Sequence, residues 1–215
     1  MKKSLQLSVR AMAVFGFAVA LVAQNAKPLY ENNFEKAEVN KVPDEFLVLD
    51  GAFAVKEESG NKFLELPGAP LDTFGILFGP TEKEGLTVSA RIHGTGKGRR
   101  FPTFGVGLNG VGGYRLQVSP GKKYLELYKG DAVKAMVAFD WSSDKWTWLK
   151  LQVRKVKDQE WKVEGKAWVQ GTGEPAWLIS ADDNVEPPPG RAAIWGSPYS
   201  TTPIRFDDLI VTHAR

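Results

Sequence analysis

Alternating apolar and polar residues dominate the chain from residue 29 onwards. In the segment 86–93, apolar residues hold every even position and polar residues every odd one. This alternation places the apolar side chains on one face of a β-strand and the polar side chains on the other. After the first 26 residues no stretch repeats its apolar positions with the 3.6-residue period of a helix. The pattern therefore predicts a nearly all-β fold.

Fifteen segments of this kind are predicted as strands. Turn sequences separate them, among them SGN at 59–61, NG at 109–110 and KGD at 129–131. Many short strands joined by tight turns favour an all-β, two-sheet antiparallel β-sandwich of the jelly-roll kind. The predicted strands are 29–34, 46–49, 53–56, 62–66, 75–78, 86–93, 103–108, 114–118, 124–128, 132–139, 146–156, 161–170, 177–180, 192–195 and 204–212.

The first 26 residues have the composition of an export signal. Lys2, Lys3 and Arg10 precede an apolar run at 11–23, which is too short to cross a bilayer comfortably. We predict a secretory signal peptide cleaved between residues 20 and 26, with an uncleaved N-terminal anchor as the alternative. The remainder, 27–215, is then a single β-sandwich domain that is periplasmic or extracellular and has no membrane contact after cleavage.

Charge and residue counts exclude several classes of function. The chain has 28 Lys and Arg against 25 Asp and Glu, but removal of the signal segment leaves 25 of each. The sequence pI near 9.0 is therefore no argument for a nucleic-acid partner. Cysteine is absent, which rules out disulfides, thiolate–zinc sites and a thiol nucleophile. With only two histidines, a His-based zinc site or a Ser-His-Asp triad is not expected.

Aromatic and polar side chains share the predicted outward positions of the middle strands. If these strands belong to one sheet, its exposed face combines flat rings with planar hydrogen-bonding groups, as a carbohydrate site requires. The alternative is that the rings are cross-strand pairs that stabilise the sheet, or are covered by a loop. The predicted ligand contacts are Trp146, Trp148, Trp168, Tyr124, Tyr128, Arg91 and Gln117, with Arg115, Glu126 and Gln152 among them.

Four segments carry a resemblance to a known fold. They are LYENNFE at 29–35, the run from YRLQV to WTWLKLQV at 114–153, the segment 165–183, and IRFDDLIV at 204–211. Together they resemble the concanavalin A-like lectin/glucanase jelly roll. That group includes laminin G-like modules and the 3-keto-disaccharide hydrolase-type domains of secreted bacterial proteins.

The resemblance implies a structural calcium site near the chain ends. In this fold the first and last strands pair, and several members hold Ca²⁺ there through carbonyl oxygens and an acid of the last strand. Carried over, the ligands are Asp207, Asp208 and Glu31, with Asn33 nearby. Simple alternation, with Phe206 and Ile210 inward, would turn Asp208 toward the core. The alternative to calcium is a β-bulge at which one carboxylate accepts a backbone N–H and the other is solvated.

Three functions remain open at the sequence level. The first is a carbohydrate-binding module that uses the aromatic face. The second is a glycoside hydrolase with Glu126 as acid/base and Arg115 or His93 assisting; a two-carboxylate mechanism needs a second acid roughly 5–10 Å away, for which Glu164 is the candidate. The third is a structural or protein-adhesion module of the laminin G-like type.

Overall fold

The computed structural model describes residues 27–69, 72–83, 85–199 and 201–214, so the predicted signal segment lies outside it. In this part of the chain every regular element is a strand, and no helix there has the length and apolar character to cross a membrane. All fifteen predicted strands are found. Their bounds are β1 Tyr30–Asn32, β2 Leu47–Asp50, β3 Ala54–Glu58, β4 Asn61–Leu66, β5 Phe74–Glu82, β6 Leu86–His93, β7 Thr103–Leu108, β8 Tyr114–Ser119, β9 Tyr124–Lys129, β10 Ala132–Ala138, β11 Trp146–Lys157, β12 Glu160–Val169, β13 Ile179–Asp183, β14 Gly190–Ser197 and β15 Ile204–His213.

The strands form two antiparallel sheets. Sheet A has eight strands in the order β13-β12-β11-β6-β15-β4-β3, with β1 paired to β15. Sheet B has seven in the order β10-β9-β8-β7-β14-β5-β2. Tyr30 lies opposite Val211, which confirms the expected pairing of the first and last strands. The predicted all-β sandwich is therefore confirmed.

The core lies between the sheets and is built from the inward positions of both. Val88, Ala90 and Ile92 of β6 are fully buried, as are Leu116 and Val118 of β8. Each buried valine, leucine or isoleucine side chain contributes about 1.5–3 kcal/mol through removal from water. Because the described residues contain no cysteine, this burial is the main source of stability.

A buried polar contact joins the two sheets along one side. The hydroxyl of Tyr114 on β8 donates to Asp183 on β13 at 2.9 Å, and the Lys129 ammonium donates to the same carboxylate oxygen at 2.7 Å. Burial and the adjacent carboxylate raise the pKa of the Tyr114 hydroxyl, which therefore stays protonated as a donor. The contact fastens β8 and β9 of sheet B to β13 of sheet A.

A β-bulge interrupts the last strand. The register against β6 shifts between Asp207 and Ile210, and Asp208 takes a left-handed φ of 48°. Because the extra residue moves the alternation by one position, Leu209 and Val211 are buried and Ile210 is only half-buried. The expectation that Ile210 shares the inward side with Phe206 is therefore wrong.

Candidate functional site

The two carboxylates of the last strand bind an arginine. Arg91 Nη2 donates to Asp207 Oδ2 at 2.7 Å, and Asn61 donates to the same oxygen at 3.0 Å. Arg91 Nε lies 2.7 Å from Asp208 Oδ2, but its N–H is not directed at that oxygen, so this contact is an ion pair only. The Asp208 amide donates to Asp207 Oδ1 at 2.7 Å. The bulge alternative is therefore confirmed for Asp207, which accepts a backbone N–H, whereas Asp208 pairs with Arg91 instead of being simply solvated.

The described residues do not fit the calcium site that the resemblance implies. Arg91 already supplies the positive charge between Asp207 and Asp208. Glu31 is exposed on β1, opposite Ile210. No group of three or more acids or histidines in the described part of the chain is arranged to hold a metal ion. A cation bound here would have to displace the 2.7 Å ion pair between Arg91 and the carboxylates.

The predicted ligand contacts divide between two sheets. Those on β6, β11 and β12 belong to sheet A, whereas those on β8 and β9 belong to sheet B. The premise that these strands share one face is therefore wrong, because the chain crosses from sheet B to sheet A between β10 and β11. The sheet A group is Trp146, Trp148, Trp168, Arg91 and Gln152, and the sheet B group is Tyr124, Tyr128, Gln117, Arg115 and Glu126.

The aromatic rings on sheet A are paired with their neighbours. Trp148 and Trp168 are cross-strand partners whose rings stack with centroids 6.0 Å apart and planes 14° apart. The Trp146 ring has the Arg91 guanidinium at 4.7 Å and the His93 ring at 5.4 Å. Such pairs stabilise a sheet directly. Burial, followed by the charge of Arg205, lowers the pKa of His93, so its imidazole is neutral at pH 7.

The loop 170–178 lies against the same face of sheet A. Its Glu174 carboxylate bridges Lys150 and Lys166, each at 2.9 Å, and Trp177 lies 4.3 Å from the Lys166 ammonium. Glu164 is also occupied here, since Gln152 and Arg154 donate to it at 3.2 and 3.0 Å. The outer face of sheet A is therefore largely satisfied by contacts within the chain.

Glycines make room for a tryptophan on the outer face of sheet B. Trp195 of β14 pairs with Gly75 of β5 and with Gly105 of β7. A Cβ on Gly75 would lie 2.5 Å from the six-membered ring, and one on Gly107 would lie 3.1 Å from Nε1. The indole therefore lies across its own strand with its edges over both neighbouring strands. It covers the glycines with one face, and the side chain is half-exposed.

Arg115 lies beside this tryptophan without an acidic partner. Its guanidinium carbon is 4.6 Å from the Tyr128 ring centroid and 6.0 Å from that of Trp195. Its Nε is buried and has no hydrogen-bond partner among the described residues. Gln117 is the next outward residue of β8, about 7 Å along the strand.

Glu126 is surrounded by donors on the same face. Ser119 Oγ makes a short hydrogen bond to Oε2, Lys122 Nζ lies 3.0 Å from Oε1, and Gln117 Nε2 lies 3.5 Å from Oε2. Burial raises the pKa of the carboxyl, but hydrogen bonds from Ser119, Lys122 and Tyr128 together outweigh it and lower the pKa below 4.5. Glu126 is thus held as a carboxylate, the opposite of what a general acid requires.

A groove of ≈ 290 Å³ opens at one end of this face. Its floor is made by outward side chains of β7 and β8, and its walls come from the loops around 99–101, 121–122 and 199. We call it the sheet B groove, and it is lined by Arg99, Phe101, Thr103, Gln117, Ser119, Gly121, Lys122 and Tyr199. Its size is near the lower limit of small-ligand sites.

Sequence reasoning placed Gln117 at this site and missed Trp195, Phe101 and Tyr199. The signal for Trp195 was the presence of Gly75 and Gly107 within predicted strands, since a glycine inside a strand can leave space for a neighbouring ring. Phe101 and Tyr199 lie in loops, to which alternation does not apply.

No family model and no curated protein sequence matches the chain. Solved structures do match over most of its length. The carbohydrate-binding module CBM66 from Bacillus subtilis is 15% identical with a TM-score of 0.53, over 78% of this chain and 94% of that chain. The carbohydrate recognition domain of Emp46p, metal-free form, is 11% identical with a TM-score of 0.60, over 88% and 100%. The exoplasmic/lumenal domain of VIP36, Ca²⁺/Man2-bound form, is 11% identical with a TM-score of 0.55, over 79% and 81%.

Sequence identities this low support a shared fold and nothing about function. The strand order, the pairing of the terminal strands and these matches agree with one another. The chain is a concanavalin A-like jelly roll.

Proposed function

We propose that this protein is an exported carbohydrate-binding module that holds its ligand on the outer face of sheet B. The observation that carries the proposal is the Trp195 indole, laid across Gly75 and Gly107 beside Arg115. A flat ring of this kind packs against the apolar face of a sugar, while planar polar side chains bind the hydroxyl groups. The sheet B groove extends the site with Gln117 and Thr103.

Three further observations support the proposal. The printed names of the matched structures include a carbohydrate-binding module and a carbohydrate recognition domain. The charged and apolar pattern of the first 26 residues supports export. On sheet A, by contrast, the tryptophans and acids engage one another, which favours sheet B as the binding face.

The pKa of Glu126 and the position of Glu164 favour binding without hydrolysis. Glu126 is the acid candidate on this face, and its lowered pKa does not suit proton donation to a leaving group. Glu164, the acid considered as its partner, lies on sheet A. His93 also lies on sheet A and does not reach Glu126 across the core.

A binding screen against neutral and acidic polysaccharides, with product masses measured in the same samples, tests this function. We expect saturable binding of at least one glycan with no product. Release of sugar that Glu126→Gln abolishes would replace the proposal with the glycoside hydrolase. If the protein neither binds nor hydrolyses any polysaccharide in the panel, the structural or adhesion module is favoured instead.

A further inference from the structure

Arg115 is partly buried but has no carboxylate partner among the described residues. A guanidinium is always charged, and burying its polar atoms without a partner costs free energy. Arg115 is half-buried, its Nε has no hydrogen-bond partner, and no carboxylate of the described residues forms an ion pair with it. The aromatic rings of Tyr128 and Trp195 hold the guanidinium in position.

Arg91 provides an internal comparison. It is also an outward residue, on β6 of sheet A, with its guanidinium carbon 4.7 Å from the Trp146 ring centroid. There, two carboxylates complete the site at 2.7 Å each. Arg91 also donates to the side-chain oxygens of Asn61 and Gln170 at 3.1 and 3.3 Å. Arg115 contacts an aromatic ring in the same way but has no carboxylate partner among the described residues.

The two segments that border the sheet B groove are positively charged, and two of their cations, Arg99 and Lys122, line it. The loop 94–102 carries Lys97, Arg99 and Arg100, and the turn 119–123 carries Lys122 and Lys123, with no acid in either segment. All five are exposed, and within the described part of the chain Lys122 alone among them has an acid in salt-bridge contact, Glu126. Cations at a rim attract an anionic ligand and raise its association rate. The predicted domain, residues 27–215, carries equal numbers of basic and acidic residues. The excess of positive charge is therefore confined to these two segments.

We infer that the ligand is an acidic polysaccharide whose uronate carboxylate pairs with Arg115. The inference rests on the proposed function and adds the class of glycan. A planar carboxylate matches the guanidinium fork and can take two parallel hydrogen bonds. Trp195 then packs against the sugar ring that bears the carboxylate, and Gln117 is placed to bind a hydroxyl of its neighbour.

The test compares polygalacturonate and alginate with their methyl esters, which keep the sugar rings and remove the charge. We expect the purified protein to bind at least one free acid roughly tenfold or more tightly than its ester. Arg115→Gln and Arg115→Lys should both abolish that preference, because lysine keeps the charge but not the planar fork. Lys157→Gln is the matched control, since it removes one exposed cation, whose partner is Glu160, from sheet A.

The outcomes separate this inference from the proposed function. Equal binding of acid and ester, weakened by Trp195→Ala, would overturn the acidic ligand and leave glycan binding in place. Equal weakening by Lys157→Gln, or equal binding of dextran sulfate with the same Arg115 dependence, would overturn the carboxylate assignment. If the protein binds no glycan in the panel, both the acidic ligand and the proposed glycan binding are overturned. Thermal midpoints of all variants establish that each is folded.

Discussion

Arg91 on sheet A and Arg115 on sheet B each contact an aromatic ring, with guanidinium carbons 4.7 and 4.6 Å from the ring centroid. Arg91 is neutralised by Asp207 and Asp208 within the chain. Arg115 has no acidic partner among the described residues. The first arginine therefore stabilises the fold, and the second is available to a ligand.

Asp207→Ala should strongly destabilise the protein. The side chain of Asp207 is 1% exposed, and its loss leaves Arg91 without its better hydrogen-bonded partner. Because Asp208 still pairs with Arg91, we expect the loss of a charged hydrogen bond, about 1.5–3 kcal/mol. Urea unfolding measures the change, and Asp140→Ala, at an exposed acid, is the control. A loss below about 1 kcal/mol, the range of an exposed pair, would contradict a structural role for this contact.

Asp183→Ala should weaken the junction between the sheets. It removes the acceptor of both Tyr114 and Lys129 and leaves a buried hydroxyl unsatisfied. We expect a loss of about 1–3 kcal/mol in the free energy of unfolding. Asp182→Ala is a matched control, because the neighbouring residue on the same strand is exposed. Equal effects of the two substitutions would show that the junction contributes nothing specific.

Acid should destabilise the protein partly through Glu126. Its folded-state pKa is lowered below 4.5, chiefly because hydrogen bonds from Ser119 and Lys122 overcome the effect of burial. A lowered pKa means that the carboxylate contributes stability above about pH 4.5, and that this contribution is lost as the pH falls through the folded-state value. The thermal midpoint of Glu126→Gln should therefore fall less between pH 7 and pH 3 than that of the unsubstituted protein. An identical fall of the thermal midpoint in both proteins would contradict the lowered pKa of Glu126.

Gly75→Ala should interfere with Trp195. The new Cβ would lie 2.5 Å from the indole, and overpacking of this kind costs about 1–3 kcal/mol. In a Trp195→Ala background the same substitution should cost much less, and a double-mutant cycle by urea unfolding measures the difference. Gly112→Ala, where a Cβ meets nothing within 4 Å, is the control. Additive effects of Gly75→Ala and Trp195→Ala would show that the ring does not lie on this glycine.

Alternation predicted the strands and the side of each strand that a residue occupies. Leu116 is inward and Arg115 outward, as expected. Alternation could not assign strands to sheets, because the pairing of β11 with β6 and of β14 with β7 depends on contacts between distant segments. It also failed at Asp208, where a single extra residue shifts every later position. The walls of the sheet B groove come from loops, in which apolar and polar residues do not alternate regularly. Their positions could therefore not be predicted from the sequence.

The choice of binding face is the central claim, and one pair of variants tests it most directly. Trp195→Ala and Trp148→Ala each remove one half-exposed tryptophan from an outer sheet face. With both variants folded, we expect Trp195→Ala to weaken glycan binding by roughly tenfold or more, as loss of an aromatic contact does, and Trp148→Ala to leave it unchanged. Calorimetric titration of the same glycan into all three proteins gives the comparison. Loss of binding in Trp148→Ala with retention in Trp195→Ala would move the site to sheet A and contradict the account.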